Sequence, residues 1–529
     1  MLNTPKAYGG MATAPHHLAS SAGAAILRDG GNALEAMIAM AATIAVVYPH
    51  MNSLGGDGFW LIAEPGREPV GIQACGAAAK AADFRFYAER GVATIPARGG
   101  AAALTSAGTV AGWAKAKTLA EEWGGRMKLG DLLADAIRHA RDGVAVTGPQ
   151  SRLTTTHLDE LRDVPGFSAL FLAAGAAPLP GTRFSQPALA ATLMRLAEAG
   201  LEDFYRGDIA RALAADLEAA GSPVGLADLA TTVARAVQPL SVGIGGALLT
   251  NMPPPTQGVA SLLILAIFSR LGIDPSDEAM LVHGLVEATK EAFALRNAEV
   301  FDPAYMAAPA ETFLAADRID AMASRIDLAR AAEWPAAAMP GDTVWMGAID
   351  GQGRAVSFIQ STYWEFGSGV VSPQTGIVWQ NRGMSFSLDP THPNALAPGR
   401  LPFHTLNPAL ARFADGRTMI YGTMGGDGQP QTQAQIFARV AWLGMEPQAA
   451  VSAPRFLLGR TWGEESTNLK LEAGFPQGVA ERLAGMGHAV AALERFSHLT
   501  GHAGAILREP DGLLRGAADP RSDGAVAAL

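Results

Sequence analysis

The ten residues GDTVWMGAID, at positions 341–350, contain a short β-rich run that begins directly after Thr343. Residues 344–349 predict a strand, the turn sequence DGQG follows at 350–353, and residues 354–360 predict a returning apolar strand. The sequence before this hairpin is Ala-rich with helical periodicity, and the sequence after it is Gly-rich and β-type. Thr343 therefore heads a strand at the boundary between two differently patterned parts of the chain.

Length and composition indicate a globular protein with a large core. The chain has 529 residues, 49% of them hydrophobic and 17% charged, which argues against a disordered protein. Its net charge of −10 argues against a general nucleic-acid binder, which needs a basic surface. Cys75 is the single cysteine, so an intrachain disulfide and a cysteine-cluster metal site are excluded. Cys75 itself is expected to be a small buried residue.

The N-terminus lacks the charged and apolar parts of a signal peptide. The longest uncharged apolar run, residues 36–48, is too short to span a bilayer and predicts a buried helix. We therefore expect a soluble, cytoplasmic protein with no membrane partner.

Helical periodicity begins at residues 16–28 and 32–47, where Gly30 and Gly31 end the first helix and Asn32 caps the second. The segment 307–340 is loosely patterned and rich in Ala and Pro, which predicts an exposed connector. Further helices are predicted at 129–142, within 186–220, and at 259–271, 278–296 and 432–443. Further strands are predicted from residue 59 and at 69–74, 240–246, 489–493 and 504–508. A connector directly before a strand-heading threonine is what a self-processed enzyme would need.

The sequence has no Gly-x-Ser-x-Gly elbow, Walker loop, His-Glu-x-x-His or EF-hand motif. His283 and Glu287 are four residues apart on the predicted helix 278–296 and could be taken for metal ligands. A structural pair on one helix face is the favoured interpretation. We therefore expect no metal.

One catalytic scheme uses only residues that are present. A threonine hydroxyl becomes a nucleophile when the residue's own freed α-amine, with a pKa near ~8, accepts its proton. Cleavage between Asp342 and Thr343 would create that amine. The backbone N–H groups of Gly425 and Gly426 could then hold the tetrahedral oxyanion, where one donor is typically worth ~10²–10³ in rate.

Eight motifs, in this order along nearly the whole chain, resemble the γ-glutamyltransferase family. They are GGNA (30–33), GGDGF (55–59), GTVAGW (108–113), PPP (253–255), HGLVEA (283–288), FGSGV (366–370), GG (425–426) and APRF (453–456). The resemblance implies an N-terminal-nucleophile hydrolase with an α/β fold, a four-layer αββα sandwich. Such a protein is made as a proenzyme and autocleaved, here into a large subunit, 1–342, and a small subunit, 343–529, which together form one catalytic unit.

Carried over by motif, the resemblance makes Thr343 the nucleophile and Gly425 and Gly426 the oxyanion hole. Ser361 stands where the family keeps a second hydroxyl beside the nucleophile. The family needs neither a metal nor an organic cofactor.

Several positions depart from the family pattern for glutamyl recognition. They are Val344-Trp345 after the nucleophile, ACGAA (74–78) in place of the arginine motif, Tyr363 for an Asn, Arg382 and Ser385 for a Gln and an Asp, and His404-Thr405 for a Ser pair. Each lost charged hydrogen bond is worth ~1.5–3 kcal/mol. Losing several weakens glutamyl recognition by ~10³ or more, so a glutathione-type substrate is disfavoured.

The replacements predict a pocket for a smaller anionic acyl group. Trp345, Tyr363 and Trp364 supply an aromatic wall, and Arg382 supplies a cation that can clamp a carboxylate. His404, Thr405 and Asn381 complete the predicted substrate-binding set. An alternative is that Arg382 pairs with Asp389 and that His404 is a core histidine.

Five runs are similar to the oxamate amidohydrolase branch of the family: YPHMN (48–52), DTVWMG (342–347), WQNRG (379–383), PFHTLNP (402–408) and MGGDGQPQ (424–431). This similarity implies hydrolysis of oxamate to oxalate and ammonia, within purine and allantoin nitrogen metabolism. The expected partners are this small amide acid and the two subunits of one precursor, without nucleic acid; a homodimer of processed heterodimers is left open. The alternatives are a γ-glutamyl hydrolase or transpeptidase, an acylase for a dicarboxyl side chain, and an uncleaved non-catalytic relative.

Overall fold

The computed structural model describes residues 3–334, 342–459 and 467–529. Within these ranges the strands are, in chain order, β1 (Lys6–Ala7), β2 (Gly10–Ala14), β3 (Asp57–Ala63), β4 (Val70–Ala74), β5 (Val144–Ala145), β6 (Arg183–Phe184), β7 (Arg235–Val237), β8 (Leu240–Ile244), β9 (Ala247–Asn251), β10 (Asp342–Asp350), β11 (Ala355–Tyr363), β12 (Ala409–Phe413), β13 (Thr418–Thr423), β14 (Phe456–Leu458), β15 (Leu469–Glu472), β16 (Val490–Leu493), β17 (Ala503–Arg508), β18 (Leu514–Ala518) and β19 (Ala525–Ala528).

The α-helices in the same ranges are α1 (His17–Arg28), α2 (Ala33–Val47), α3 (Phe84–Ala88), α4 (Thr109–Glu122), α5 (Leu129–Asp142), α6 (Gly148–Thr156), α7 (Leu158–Leu161), α8 (Phe167–Phe171), α9 (Pro187–Ala199), α10 (Asp203–Arg206), α11 (Asp208–Ala219), α12 (Leu226–Thr231), α13 (Gly258–Phe268), α14 (Glu278–Glu299), α15 (Ala316–Ala323), α16 (Gly428–Phe437), α17 (Pro447–Ser452) and α18 (Val479–Gly485). None of them combines the length and the apolarity that a membrane-crossing helix requires.

Two seven-stranded antiparallel sheets form the centre of the molecule. The first sheet has the order β19-β2-β10-β11-β3-β4-β7, and the second has the order β1-β18-β17-β13-β12-β9-β8. Phe59 and Trp345 of the first sheet share one apolar core with Ile420 and Ile506 of the second, so the sheets pack face to face.

A helical layer covers the outer face of each sheet. On the first sheet, Val344 and Phe358 pack in a core with α2, and on the second, Met419 packs in a core with α13 and α14. This arrangement confirms the four-layer αββα sandwich.

The predicted hairpin after Thr343 is confirmed. β10 pairs with β11 in an antiparallel register that places Met346 opposite Phe358, and β10 also pairs with β2. The register shifts between Asp342 and Val344, so Thr343 lies at a β-bulge. Bulges re-aim side chains at the ends of strands, and here the bulge sets the direction of Thr343.

The predicted apolar helix is also confirmed, because every residue of α2 is buried. Its first turn has a capping box, in which Asn32 accepts from the backbone N–H of Glu35 and Glu35 accepts from that of Asn32.

The predicted connector at 307–340 is wrong over part of its length. A 3₁₀ turn at Ala310–Leu314 and helix α15 occupy it, and Ile319 and Met322 of α15 are buried. These two residues have the i, i+3 spacing of a helix face, which the Ala- and Pro-rich composition obscured. The last part of the predicted connector, residues 335–340, and Gly341 lie outside the described residues.

Candidate active site

Three polar residues form a row across neighbouring strands at one end of the first sheet. Thr343 on β10 lies opposite the 361–362 stretch of β11, and Ser361 pairs with Asp57, the first residue of β3. Side chains alternate along a strand, so Asp57 lies on the same face as Phe59, which contacts the second sheet. The row therefore lies at the end of the layer between the two sheets.

The Gly425–Gly426 turn joins β13 to α16 and approaches Thr343 from the second sheet. The φ angles of these glycines are +114° and +52°, which residues with a Cβ rarely adopt. Gln429, in the first turn of α16, donates its backbone N–H to Gly426 O at 3.2 Å and its side-chain amide to Thr343 Oγ1 at 3.3 Å. The structure thus brings the predicted nucleophile and the predicted oxyanion residues together.

A buried polar network fixes this turn. Gln257 donates to Gly426 O at 2.9 Å and to Thr405 O at 2.7 Å. Arg296 of α14 donates to Gln257 Oε1 and to Asp427 Oδ1, both at 2.7 Å. Sequence reasoning missed these groups, since Arg296 and Asp427 are separated by 131 residues and neither has a local signal.

Arg382 is completely buried and reaches Thr405, which shares the side-chain amide of Gln257 with the turn. Its guanidinium carbon lies 4.1 Å from the centre of the Tyr363 ring, and its Nη1 is 3.4 Å from Thr405 Oγ1. Its Nε and Nη2 have no hydrogen-bond acceptor among the described residues. Burial lowers the pKa of Arg382 to about 10, so the group is still charged at neutral pH.

The alternative pairing of Arg382 with Asp389 is not formed. Asp389 is exposed, and its carboxylate accepts hydrogen bonds from the backbone and hydroxyl of Thr391 at 2.8 and 2.7 Å.

His404 is buried in the same region, with its backbone N–H donating to Pro255 O at 2.8 Å. Its ring packs on Phe59 with 4.8 Å between ring centres, and neither ring nitrogen has a hydrogen-bond partner in the described part of the chain. Burial, reinforced by the charge of Arg382, holds the pKa of His404 well below its usual value. The imidazole is therefore neutral.

Asp57 completes this group. Its Oδ1 accepts from the backbone N–H groups of Gly108 at 2.8 Å and Gly76 at 3.0 Å, whereas its Oδ2 has no hydrogen-bond partner among the residues described. Burial raises the pKa of Asp57 to about 7, against the opposing effects of these hydrogen bonds and of Arg382. Sequence reasoning considered only the glycines of the GGDGF motif. An acidic residue between glycines at the start of a strand was the signal that could have identified Asp57 as a site residue.

Three predicted site residues are engaged within the fold. The Trp345 ring packs between the sheets and its Nε1 donates to Ser357 Oγ at 2.9 Å. Asn381 accepts from Trp364 N at 3.2 Å and donates to Ala97 O at 3.0 Å. Ser361 Oγ accepts from the backbone N–H of Tyr363 at 2.7 Å. Their contacts with substrate, and the cut after Asp342 at the start of β10, stay predictions.

His283 and Glu287 meet His488, and the candidate ligand atoms of all three lie within 4.8 Å of one another. Nδ1 of His283 is 2.8 Å from Nε2 of His488, and its Nε2 is 3.0 Å from Asp327 O. Glu287 accepts from Lys290 Nζ at 2.6 Å and from Ala332 N at 3.1 Å. The ammonium of Lys290 already neutralises the carboxylate, so this geometry favours the structural interpretation.

Comparison with known proteins places the chain in a family. The Gamma-glutamyltranspeptidase family profile matches residues 19–529. The chain is 55% identical over 519 residues to the oxamate amidohydrolase proenzyme of Klebsiella pneumoniae, with 98% of each chain covered. It is 39% identical over 524 residues to the glutathione hydrolase-like YwrD proenzyme of Bacillus subtilis, again with 98% of each chain covered.

Among solved structures, the cephalosporin acylase from Bacillus halodurans matches with a TM-score of 0.91 and 33% identity. The match covers 100% of this chain and 97% of that one. The fold is therefore that of the N-terminal-nucleophile hydrolases. The chain belongs to the γ-glutamyltranspeptidase family and is an amidohydrolase.

Proposed function

We propose that this protein is an autoprocessed amidohydrolase that converts oxamate to oxalate and ammonia. The observation that carries the proposal is the buried guanidinium of Arg382, whose Nε and Nη2 have no acceptor among the described residues. It is linked to the Gly425–Gly426 turn through Thr405, because Gln257 donates to both Thr405 O and Gly426 O. Among the described residues no carboxylate forms a salt bridge with Arg382, and a buried cation in that state favours an anionic ligand. The 55% identity to an oxamate amidohydrolase proenzyme supports the same substrate.

Cleavage between Asp342 and Thr343 would free the α-amine of Thr343. That amine takes the hydroxyl proton, and Oγ1 attacks the amide carbon. The Gly425 and Gly426 N–H groups stabilise the tetrahedral oxyanion. The C–N bond then breaks, the amine returns the proton to the leaving nitrogen, and ammonia departs. A water deprotonated by the same amine hydrolyses the ester and releases oxalate.

The charge of the site favours an amide that carries a carboxylate next to the reacting carbon. The fork of Arg382 can hold a carboxylate through two parallel hydrogen bonds. In oxamate this carboxylate is bonded directly to the amide carbon, so the clamp would also fix the reacting carbon. The Tyr363 ring packs 4.1 Å from the guanidinium carbon of Arg382, and neutral His404 adds no charge that would compete for the carboxylate.

Two other substrates have specific support. The likeness to a cephalosporin acylase favours an acylase for a larger acyl group, and the glutathione hydrolase-like relative favours a γ-glutamyl substrate. Thr343 is 1% exposed in the uncut chain, so each enzymatic proposal requires that cleavage opens the site. A chain that is never cut would be the non-catalytic relative.

Mass measurement under denaturing conditions tests the cut. We expect two fragments, 1–342 and 343–529, from the wild-type protein and one intact chain from Thr343→Ala. Thr13→Ala is the matched control, because Thr13 is a buried threonine on the neighbouring strand β2 whose hydroxyl donates to Ala517 O. This control should be cut and active.

Substrate choice is tested with the same preparations. Ammonia and oxalate should appear with oxamate, and neither a γ-glutamyl anilide nor a glutaryl amide should be hydrolysed at a comparable kcat/KM. A preference for either of the latter would replace oxamate. An intact wild-type chain without turnover would favour the non-catalytic reading.

A further inference from the structure

The unpaired oxygen of Asp57 points to a role that neither the family resemblance nor the scheme above assigns. We propose that Asp57 is a specificity-determining residue that holds a proton whenever a substrate carboxylate lies against Arg382. In that state it donates a hydrogen bond within the site and does not repel the anion. The inference rests on the proposed function, since it assumes an anionic substrate at Arg382.

The two oxygens of Asp57 have different surroundings. Oδ1 is held by two backbone N–H groups, from Gly76 and Gly108. Oδ2 lies 3.6 Å from Nε2 of His404, a distance that is too long for a hydrogen bond. One oxygen is thus anchored, and the other is buried without a hydrogen-bond partner among the described residues, although the side-chain amide of Gln380 also acts on this carboxylate.

The titratable groups facing Asp57 come from four separate segments. They are Arg382 in the 3₁₀ turn 382–385, His404 before β12, Cys75 directly after β4 and Tyr205 in α10. The imidazole is neutral, burial raises the pKa of the Cys75 thiol, and burial raises that of the Tyr205 phenol. Arg382 is therefore the charged group that compensates an ionised Asp57 in this part of the described chain.

A bound carboxylate would take that compensation away. With the Arg382 charge shared by the ligand, a second buried anion at Asp57 becomes unfavourable, because like charges in one buried site cannot both ionise. Proton uptake by Asp57 removes the conflict and converts an acceptor-only carboxylate into a donor.

The direction of the pH effect follows. The pKa of Asp57 in the free site is about 7, so the group is protonated below that pH and anion binding needs no proton. Above it, binding must take up a proton, and KM rises with pH. Linkage predicts a rise of about tenfold between pH 6 and pH 8.

Asp57→Asn provides the test in the cleaved enzyme. The amide keeps an oxygen for the Gly76 and Gly108 N–H groups and places a permanent donor at the other position. We expect the KM of wild type for oxamate to rise about tenfold from pH 6 to pH 8, and the KM of the variant to stay constant within twofold. The kcat of both enzymes should still follow the Thr343 amine, with a pKa near ~8.

Calorimetry supplies a readout that is independent of turnover. Pyruvate carries a methyl group where oxamate carries its amide nitrogen, so it is a carboxylate of matching size without a leaving group. At pH 8, in two buffers of different ionisation enthalpy, wild type should take up close to one proton on binding pyruvate, and Asp57→Asn none. Asp302→Asn is the control, because Asp302 is also buried and accepts from the backbone N–H groups of Ala304 and Leu401.

The outcomes are separable. The same KM rise in Asp57→Asn, or no proton uptake by wild type, would overturn the role of Asp57 while leaving oxamate hydrolysis intact. Pyruvate binding with proton uptake but no oxamate turnover would instead remove only the proposed function. If neither anion binds, both fall. Should Asp57→Asn fail to fold, the pH dependence of proton uptake by wild type decides the question: uptake that rises through pH 7 supports Asp57, and uptake that rises only through ~8, the range of the Thr343 amine, overturns it.

Discussion

At the residue scale, three buried side chains that interact electrostatically differ in protonation. Arg382 is charged, His404 is neutral, and Asp57 titrates near neutral pH. The differences come from burial, which disfavours the charged form of each group. The sequence identifies these three residues, but it does not predict their protonation, because protonation depends on how deeply the assembled sheets bury each side chain.

Arg382 should determine the preference for an anionic substrate. In Arg382→Ala, two charged hydrogen bonds of ~1.5–3 kcal/mol each are lost, so kcat/KM for oxamate should fall by roughly 10²–10⁴. Arg382→Lys keeps the charge but loses the two parallel donors of the guanidinium, so its kcat/KM for oxamate should lie between those of wild type and Arg382→Ala. Acetamide, a neutral amide of similar size, is the comparison substrate, with thermal unfolding as the check on folding. Equal losses for acetamide and oxamate would discard the carboxylate clamp.

At the element scale, much of the fold could be predicted from local pattern. Helix α5 was predicted with its observed bounds, and the β10–β11 hairpin within a few residues. Helix α16 begins at Gly428, earlier than the predicted 432, because the Gly425–Gly426 turn and not an ordinary cap starts it. The site could be predicted only in part: Thr343, Gly425 and Gly426 lie in recognisable motifs, whereas Gln257 and Arg296 support the turn through contacts distant in sequence. Asp57 lies in the GGDGF motif, but its burial and raised pKa depend on the assembled sheets.

The ion pair between α14 and the start of α16 should be essential for the oxyanion turn. Asp427→Ala leaves Arg296 buried without its carboxylate, which typically costs ~3–5 kcal/mol, and thermal or denaturant unfolding measures the loss. A variant with Arg296→Met and Asp427→Leu together should lose less stability than Asp427→Ala, yet stay poorly active because Gln257 and the turn lose their support.

The exposed pair Arg162–Asp159 is the matched control for this measurement, and Asp159→Ala should change stability by no more than ~1 kcal/mol. Equal effects of Asp427→Ala and Asp159→Ala would show that the buried pair contributes nothing special to the turn.

At the scale of the whole molecule, the proposed cut divides both sheets between the two fragments. In the first sheet, β10 and β11 of the later fragment lie between β2 and β3 of the earlier one, and β19 pairs on the other side of β2. In the second sheet, β9 of the earlier fragment pairs with β12 of the later one. The segment near the C-terminal end of the earlier fragment is also fixed to the fold, because Lys290 donates to Ala332 O and His283 contacts Asp327 O.

Cleavage should therefore leave one folded particle. Separating the fragments would break central strand pairs and expose the core between the sheets, at ~25 cal/mol for each Å² of apolar surface exposed. On native size-exclusion chromatography we expect fragments 1–342 and 343–529 to elute together at the position of uncut Thr343→Ala. In increasing urea they should separate only in the transition in which helical circular dichroism is lost. Elution of either fragment alone without denaturant would contradict this, because it would mean that each half of the interleaved sheets can close its own core.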